Sequence, residues 1–202
     1  MNKKEISLLL GLVFTIAFSV CSQHIKAAED VKADTLRLHI IANSDSVQDQ
    51  QIKLAVRDKL LQTETLLPVN ATGFEQAVQI MADNLTRTED FINSFLEQND
   101  VDYSARCSIE RFYFDTTEYD NFALPQGEYT ALTVRLGQAQ GKNWWCVVYP
   151  ALCSQSCGQI VLEYSDSFIK TDRITPRFKV VEIYEDIKVR FAQRAEEYKN
   201  LG

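Results

Sequence analysis

The sequence is short of the residues on which most hydrolytic enzymes depend. It has only two histidines, His24 and His39, and the first lies in or beside an apolar N-terminal segment. It contains no Gly-x-Ser-x-Gly elbow, no phosphate-cradling glycine loop and no His-Glu-x-x-His helix. A lone histidine in the middle of a strand, as His39 is predicted to be, is more often structural than catalytic. We therefore expect a protein that is not an enzyme and that needs no cofactor or metal.

An excess of positive charge is also missing. The chain has 21 Lys and Arg against 28 Asp and Glu, which gives a formal net charge of -7 over 202 residues. An acidic body repels phosphate backbones, so we expect no nucleic-acid partner. No small-molecule substrate is expected either.

The first 28 residues have the pattern of an export segment. Lys3 and Lys4 precede a nearly uninterrupted apolar run, Ile6 to Val20. That run has the length of a signal-peptide core and is short for a bilayer span, which needs roughly 20 residues. We predict that residues 1–28 are a signal peptide or a retained membrane anchor that keeps the protein near a membrane. Residues 29–34 are then a tether, and residues 35–202 form one domain.

Export would place the four cysteines that follow residue 28 in an oxidising compartment, where disulfides form. They are Cys107, Cys146, Cys153 and Cys157. A disulfide between Cys146 and Cys153, which flank the turn signal Tyr149-Pro150, is the first choice. Cys107 with Cys157 is the residual pairing. A zinc site is the alternative, but the spacing is not that of close-paired structural zinc ligands.

The stretch Leu36–Asp58 predicts a strand, a polar turn and a helix. Its polar side chains exceed what helix capping requires, and we interpret them as parts of a partner-binding surface: Asn43, Asp45, Asp49, Lys53 and Arg57. Two alternatives remain open. Asp45 and Asp49 could be helix-start charges or a general acid–base pair, and Asp49 with Lys53 fits a helical i, i+4 ion pair.

The remaining elements indicate an α+β fold, with an N-terminal strand and two helices packed on a mainly antiparallel sheet and a C-terminal helix. A second helix is predicted from Thr72 to about Gln98. The predicted strands are Tyr103–Asp115, Glu128–Leu136 and Trp144–Tyr149, with a hairpin connection at Gly137–Gly141 and a final helix after Thr175-Pro176.

Two adjacent tryptophans, Trp144 and Trp145, occupy the last of these strands. Because side chains alternate along a strand, one must face the core and the other the opposite side of the sheet. Tryptophan is enriched at binding hot spots, so we predict that the outward one contributes to a partner contact.

Four of these motifs together resemble the stage II sporulation protein R family. They are Ile41–Ser46, Lys53–Asp58, Gly127–Tyr129 and Asn143–Cys153, and the similarity runs in order over residues 35 to 155. The segment Phe178–Glu182 resembles the end of the family's sequence, whereas Cys107 and Cys157 depart from its pattern.

The resemblance implies a signal made in the forespore of an endospore-forming bacterium and secreted across the forespore membrane into the intermembrane space. Such a protein activates a membrane-embedded aspartic protease of the mother cell, which then processes pro-sigma-E. Two alternatives are an exported hydrolase acting on cell-wall polymers and a structural protein of the spore envelope.

Overall fold

The computed structural model describes residues 2–118, 123–150, 181–191 and 193. These fall into two compact units, one comprising Met1–Lys32, Phe114–Gly127 and Phe168–Gly202, and the other comprising Ala33–Tyr113 and Glu128–Ser167. In chain order the elements are α1 (Lys3–Ala33), β1 (Leu36–Ile41), α2 (Val47–Gln62), a 3₁₀ turn (Glu64–Leu66), α3 (Phe74–Asp83), α4 (Leu85–Gln98), β2 (Ala105–Phe114), β3 (Thr117–Glu118), β4 (Ala123–Leu124), β5 (Gly127–Leu136), β6 (Asn143–Tyr149) and α5 (residues 181–191).

The second unit carries a mixed four-stranded sheet in the order β2-β5-β1-β6. Strand β1 is parallel to β5 and antiparallel to β6. At the β2–β5 pair, the Gly137 N–H donates to the Ser104 carbonyl at one end and Arg111 meets Glu128 at the other, as in an antiparallel ladder. The predicted α+β class, with a mainly antiparallel sheet and a C-terminal helix, is confirmed.

One face of the sheet forms the hydrophobic core with α2, α3 and α4. Leu36, Leu38 and Ile40 of β1 are fully buried there. They pack in one cluster with apolar side chains of the helices, among them Val56, Leu60, Met81, Ile92 and Leu96. At about 25 cal/mol for each Å² of apolar surface removed from water, this cluster is the main source of stability in the unit.

The opposite face of β1 is polar in sequence and nevertheless buried. Arg37 and His39 alternate with the core residues, as predicted, and both side chains have no exposed surface. The Arg37 guanidinium lies over the Tyr129 ring, 5.1 Å from its centroid. Since β1 is buried on both faces, it takes an interior position in the sheet.

The predicted hairpin at Gly137–Gly141 is wrong, because β1 lies between β5 and β6. The glycines do reverse the chain, but a turn signal does not specify which strands pair. Residues 137–142, which we call the crossing loop, must span about 10 Å, twice the spacing between neighbouring strands. On its way the crossing loop passes the end of β1 and the turn loop, residues 42–46.

The single second helix predicted for Thr72–Gln98 is also interrupted. Asn84 ends α3 and begins α4, and its side-chain amide donates to the Thr65 carbonyl at 3.4 Å. Asparagine is a poor residue for a helix interior because its side chain competes for backbone hydrogen bonds. The apolar stripe predicted for this helix lies in the core, as expected.

In the first unit, α1 continues through the segment predicted to be a tether and ends at Ala33. Its 31 residues extend about 46 Å. The helix is long and apolar enough to cross a membrane by length and composition. Its large apolar side chains are exposed, for example Leu8 and Phe14 at 75% and 74%. The boundary of the export segment stays a prediction.

The first unit also joins the base of α1 to α5. Lys32 and Glu185 form a buried ion pair, and the backbone of Gly127 leaves room for the Lys32 side chain at a positive φ of 143°. Gln126 donates to the Glu182 carbonyl at 3.0 Å. The start of the C-terminal helix near Thr175-Pro176 and the segment from Phe178 lie outside the described residues.

Gly137 allows a direct test of the crossing loop. Its φ is +54°, and an added Cβ would collide with the Asn43 side chain. Backbone strain and overpacking each cost about 1–3 kcal/mol, so we expect Gly137→Ala to lower the free energy of unfolding by about 2–4 kcal/mol. Urea unfolding of the detergent-solubilised full chain would measure it.

Gly73→Ser is the matched control. A Cβ there meets nothing within 4 Å, and serine suits the helix N-cap that Gly73 occupies. We expect this change to be neutral or slightly stabilising. Equal loss in both variants would contradict the packing we describe for the crossing loop.

Candidate functional site

The turn loop and the crossing loop are fastened together by hydrogen bonds. The backbone N–H groups of Gly141 and Gln140 donate to the carbonyls of Ala42 and Asn43, at 2.9 and 3.1 Å. Side chains of the turn loop accept two more. The Gln138 N–H donates to Asn43 Oδ1 at 2.9 Å, and the Lys142 N–H donates to Asp45 Oδ1 at 2.7 Å. The predicted site residues Asn43 and Asp45 therefore bind the crossing loop.

Asp49 is the centre of this network. It is 8% exposed, and its carboxylate accepts hydrogen bonds from Asn43 Nδ2 at 3.0 Å, from the Ser44 hydroxyl, and from the Tyr103 hydroxyl at 2.8 Å. Its own N–H donates to the Ser46 hydroxyl, which caps α2 as the sequence predicted. Burial works to raise the pKa of Asp49, but the hydrogen bonds from Ser44, Tyr103, Asn43 and Ser46 hold it below its usual value. Asp49 thus stays ionised.

The ammonium group of Lys53 points to the crossing loop and not to the Asp49 carboxylate. Its ammonium donates to Gln50 Oε1 at 2.7 Å and to the Lys142 and Asn143 carbonyls at 3.0 and 3.4 Å. Burial lowers its pKa, and Asp45 partly offsets that effect. Lys53 therefore binds α2 to the crossing loop, in addition to the contacts that Asn43 and Asp45 make from the turn loop.

Arg57 and Trp144 lie next to each other on the helix side of the sheet. Trp144 packs against the core, and the Arg57 guanidinium stands over its ring, 5.3 Å from the centroid. Arg57 also pairs with Asp58 at 2.7 Å. These contacts assign Trp144 to the scaffold.

Trp145 is the outward tryptophan. It is opposite His39 in the β1–β6 register and is 39% exposed. The Phe112 ring packs against His39 on this side, with ring centroids 4.3 Å apart and the ring planes tilted by 57°. Burial lowers the pKa of His39, which favours a neutral imidazole. The two tryptophans divide between the two faces, as alternation predicted.

An open cleft of about 580 Å³ lies beside the turn loop. Its lining consists of Asn43, Asp102, Tyr103, Ser104, Arg106, Arg135, Gly137 and Gln138. Sequence reasoning singled out only Asn43 among these as a site residue. The others come together only through the pairing of β2 with β5, and no local pattern in the sequence identifies them.

The carboxylates of the turn loop and of α2 are hydrogen-bonded within the scaffold. Residues 2–118, 123–150 and 181–191 contain no group of three or more His, Cys, Asp or Glu side chains placed to hold a metal. The two carboxylates considered as an acid–base pair, Asp45 and Asp49, both accept hydrogen bonds within the scaffold. These hydrogen bonds explain both carboxylates as groups that hold the loops in place.

The cysteines are only partly described. Cys107 is a free thiol, which goes against the residual pairing of Cys107 with Cys157. Its backbone N–H donates to Glu89 at 2.7 Å, and burial with the nearby Glu89 charge raises the pKa of the thiol to about 12. Cys146 lies in β6, but Cys153 and Cys157 are outside the described residues, so the Cys146–Cys153 disulfide stays a prediction.

Comparison with known proteins shows which family the sequence is similar to. The sequence profile of the family described as Stage II sporulation protein R matches residues 32–159. The chain is also similar to Stage II sporulation protein R of Bacillus subtilis (strain 168). The two are 31% identical over 167 residues, which are 82% of this chain and 71% of the relative. No solved structure matches the chain.

Asp49→Asn tests the network around the turn loop. The amide loses the charge on which the three side-chain donors converge, so we expect the free energy of unfolding to fall by about 2–3 kcal/mol at neutral pH. In the folded protein the pKa of Asp49 lies below its ordinary value of 3.8. The extra stability of the wild type is therefore fully present above pH 3.8 and is lost as the pH falls through the pKa of the folded state. Urea unfolding of both proteins from pH 7 to pH 3 would measure the difference.

Asp58→Asn provides the control. Asp58 is exposed and pairs with Arg57 at the surface, so its replacement should change stability by less than about 0.5 kcal/mol. A deficit of the Asp49 variant that stays constant down to pH 3 would show that the ionised carboxylate is not the stabilising form.

Proposed function

Because this chain belongs to the stage II sporulation protein R family, we propose that it is a secreted signal between the two compartments of a developing endospore. It crosses the forespore membrane into the intermembrane space and activates a membrane-embedded aspartic protease of the mother cell. The protease then processes pro-sigma-E. The observation that carries the proposal is the family match over residues 32–159.

The N-terminal helix supports the route. α1 has the basic start and apolar run of an export signal, and its length would also suit a retained anchor. Either outcome delivers the residues after α1 to the far side of the membrane, close to a membrane-embedded partner.

The arrangement of the two tryptophans supports a contact surface on the sheet face that carries Trp145. An exposed tryptophan contributes a large apolar area and one hydrogen-bond donor to an interface. Asn43, Asp45, Asp49, Lys53 and Arg57 hold the loops and the strand behind this surface. We assign them to the partner site as residues that shape it, with Trp145 as the residue that contacts the protease.

Activation follows from differential binding. A ligand shifts an equilibrium only to the extent that it binds one state more tightly than the other. On this mechanism the protein binds the active arrangement of the protease better than the inactive one, and it needs no chemistry of its own.

The export requirement gives the first test. In a strain that lacks the gene, we expect the full chain to restore pro-sigma-E processing and a chain without residues 1–28 to fail. The truncation keeps Glu29 and Lys32, so the buried pair with Glu185 is retained. An immunoblot for the processed sigma factor reads out the result. Rescue by the truncated, cytosolic chain would refute secretion as part of the function.

Trp145→Ala gives the second test, because it removes the proposed contact and leaves the core intact. We expect processing to fall at least tenfold, equivalent to about 1.4 kcal/mol of lost coupling. Val47→Ala is the control, since Val47 is an apolar side chain that is 76% exposed on α2. If both variants signal normally at wild-type abundance, Trp145 is not part of the contact.

A further inference from the structure

Two arginines face each other across the β2–β5 pair, at the cleft beside the turn loop. The Gly137 N–H donates to the Ser104 carbonyl at 2.9 Å, which sets the antiparallel register. Moving two residues along each strand places Arg106 directly opposite Arg135, and both line the cleft. Their strand neighbours Ala105 and Leu136 are buried in the core, so the arginines lie on the other face of the sheet.

Only one of these two charges is compensated. Arg135 donates to the Ser108 hydroxyl at 2.9 Å and to Glu110 Oε1 at 2.6 Å. Arg106 is exposed and makes no hydrogen bond or ion pair with any side chain in the described ranges, including Asp102 in the same cleft. Like charges directly opposite each other in a sheet are destabilising. An anionic group bound in the cleft would compensate the remaining charge, that of Arg106, and so reduce the repulsion between the two arginines.

We propose that this cleft receives an acidic side chain of the protein partner, bound between the guanidinium groups of Arg106 and Arg135. Arginine presents paired N–H donors that match a carboxylate, and both arginine side chains line this cleft. The Gln138 side chain at the rim supplies a further donor for the partner's backbone. The inference rests on the proposed function and adds the chemistry by which the protease is recognised.

A protein segment fits the surroundings better than a polyanion. The whole chain carries a net charge of -7 and repels polymers of negative charge, whereas a single carboxylate meets only the local field of the cleft. Trp145 lies on the same face of the sheet as Arg135. On the shared neighbour β1, Arg135 pairs with Ile41 and Trp145 pairs with His39, two residues away. Tryptophan and arginine together are the usual composition of a protein–protein hot spot.

Arg106→Glu in the full chain tests the inference, with Arg87→Glu as the matched control. Arg87 is an exposed arginine on α4 that does not line the cleft, so both variants change the net charge equally. In the deletion strain we expect Arg106→Glu to lower pro-sigma-E processing at least tenfold and Arg87→Glu to leave it unchanged. Arg106→Lys should be intermediate, because lysine keeps the charge but not the paired donors.

The thermal unfolding midpoint separates binding from folding. Replacing Arg106 by glutamate puts opposite charges across the strand pair, so the purified full-length variant should unfold at the same or a higher temperature than the wild type. Loss of processing together with unchanged or higher stability would support the inference. Loss of processing with a lower midpoint would overturn it, because the residue would then be structural.

The same strains distinguish the two proposals. If the wild type restores processing and Arg106→Glu does so equally well, the cleft inference is wrong and the proposed function stands. If the wild type itself does not restore processing, the proposed function fails. Co-purification with the detergent-solubilised protease is the direct measurement, and an Arg106→Glu protein that is retained as well as the wild type would also overturn the inference.

Discussion

Hydrogen bonds between the turn loop and the crossing loop constrain the sheet at the point where its order departs from sequence order. The chain leaves β5, passes the end of β1 and enters β6, and the loop that makes this step is held by Asn43, Asp45 and Lys53. Asp49 in turn holds Asn43 in place. A buried carboxylate with this many donors is costly to disturb, since removing one partner leaves others unsatisfied.

The position of β6 determines what each tryptophan does. Pairing with β1 places Trp144 over the helices, beneath Arg57, and turns Trp145 to the opposite face. A shift of one residue in this register would exchange the two. The fastening of the crossing loop, which enters β6 at Asn143, is therefore also what presents Trp145 for contact. Scaffold and contact surface depend on the same hydrogen bonds.

Several features of the fold were predictable because they depend on local chemistry. The serine cap and apolar face of α2 follow from the spacing of Ser46, Asp49, Val56 and Leu60, and the strands follow from period-two alternation. The site was predicted only in part. The polar residues after β1 exceed the needs of a helix cap, which predicts a site there, but their partners in the crossing loop lie about 95 residues further along the chain.

Local sequence is enough to predict the class of elements, the capping of α2, the split of the two tryptophans and, through its motifs, the family. These depend on near neighbours and on the fixed periods of helix and strand. Three features are visible only in the folded chain: the insertion of β1 between β5 and β6, the hydrogen bonds from the turn loop to the crossing loop, and the position of Arg106 opposite Arg135. Strand order and register are set by burial and by long-range hydrogen bonds, which leave no short-range pattern in the sequence.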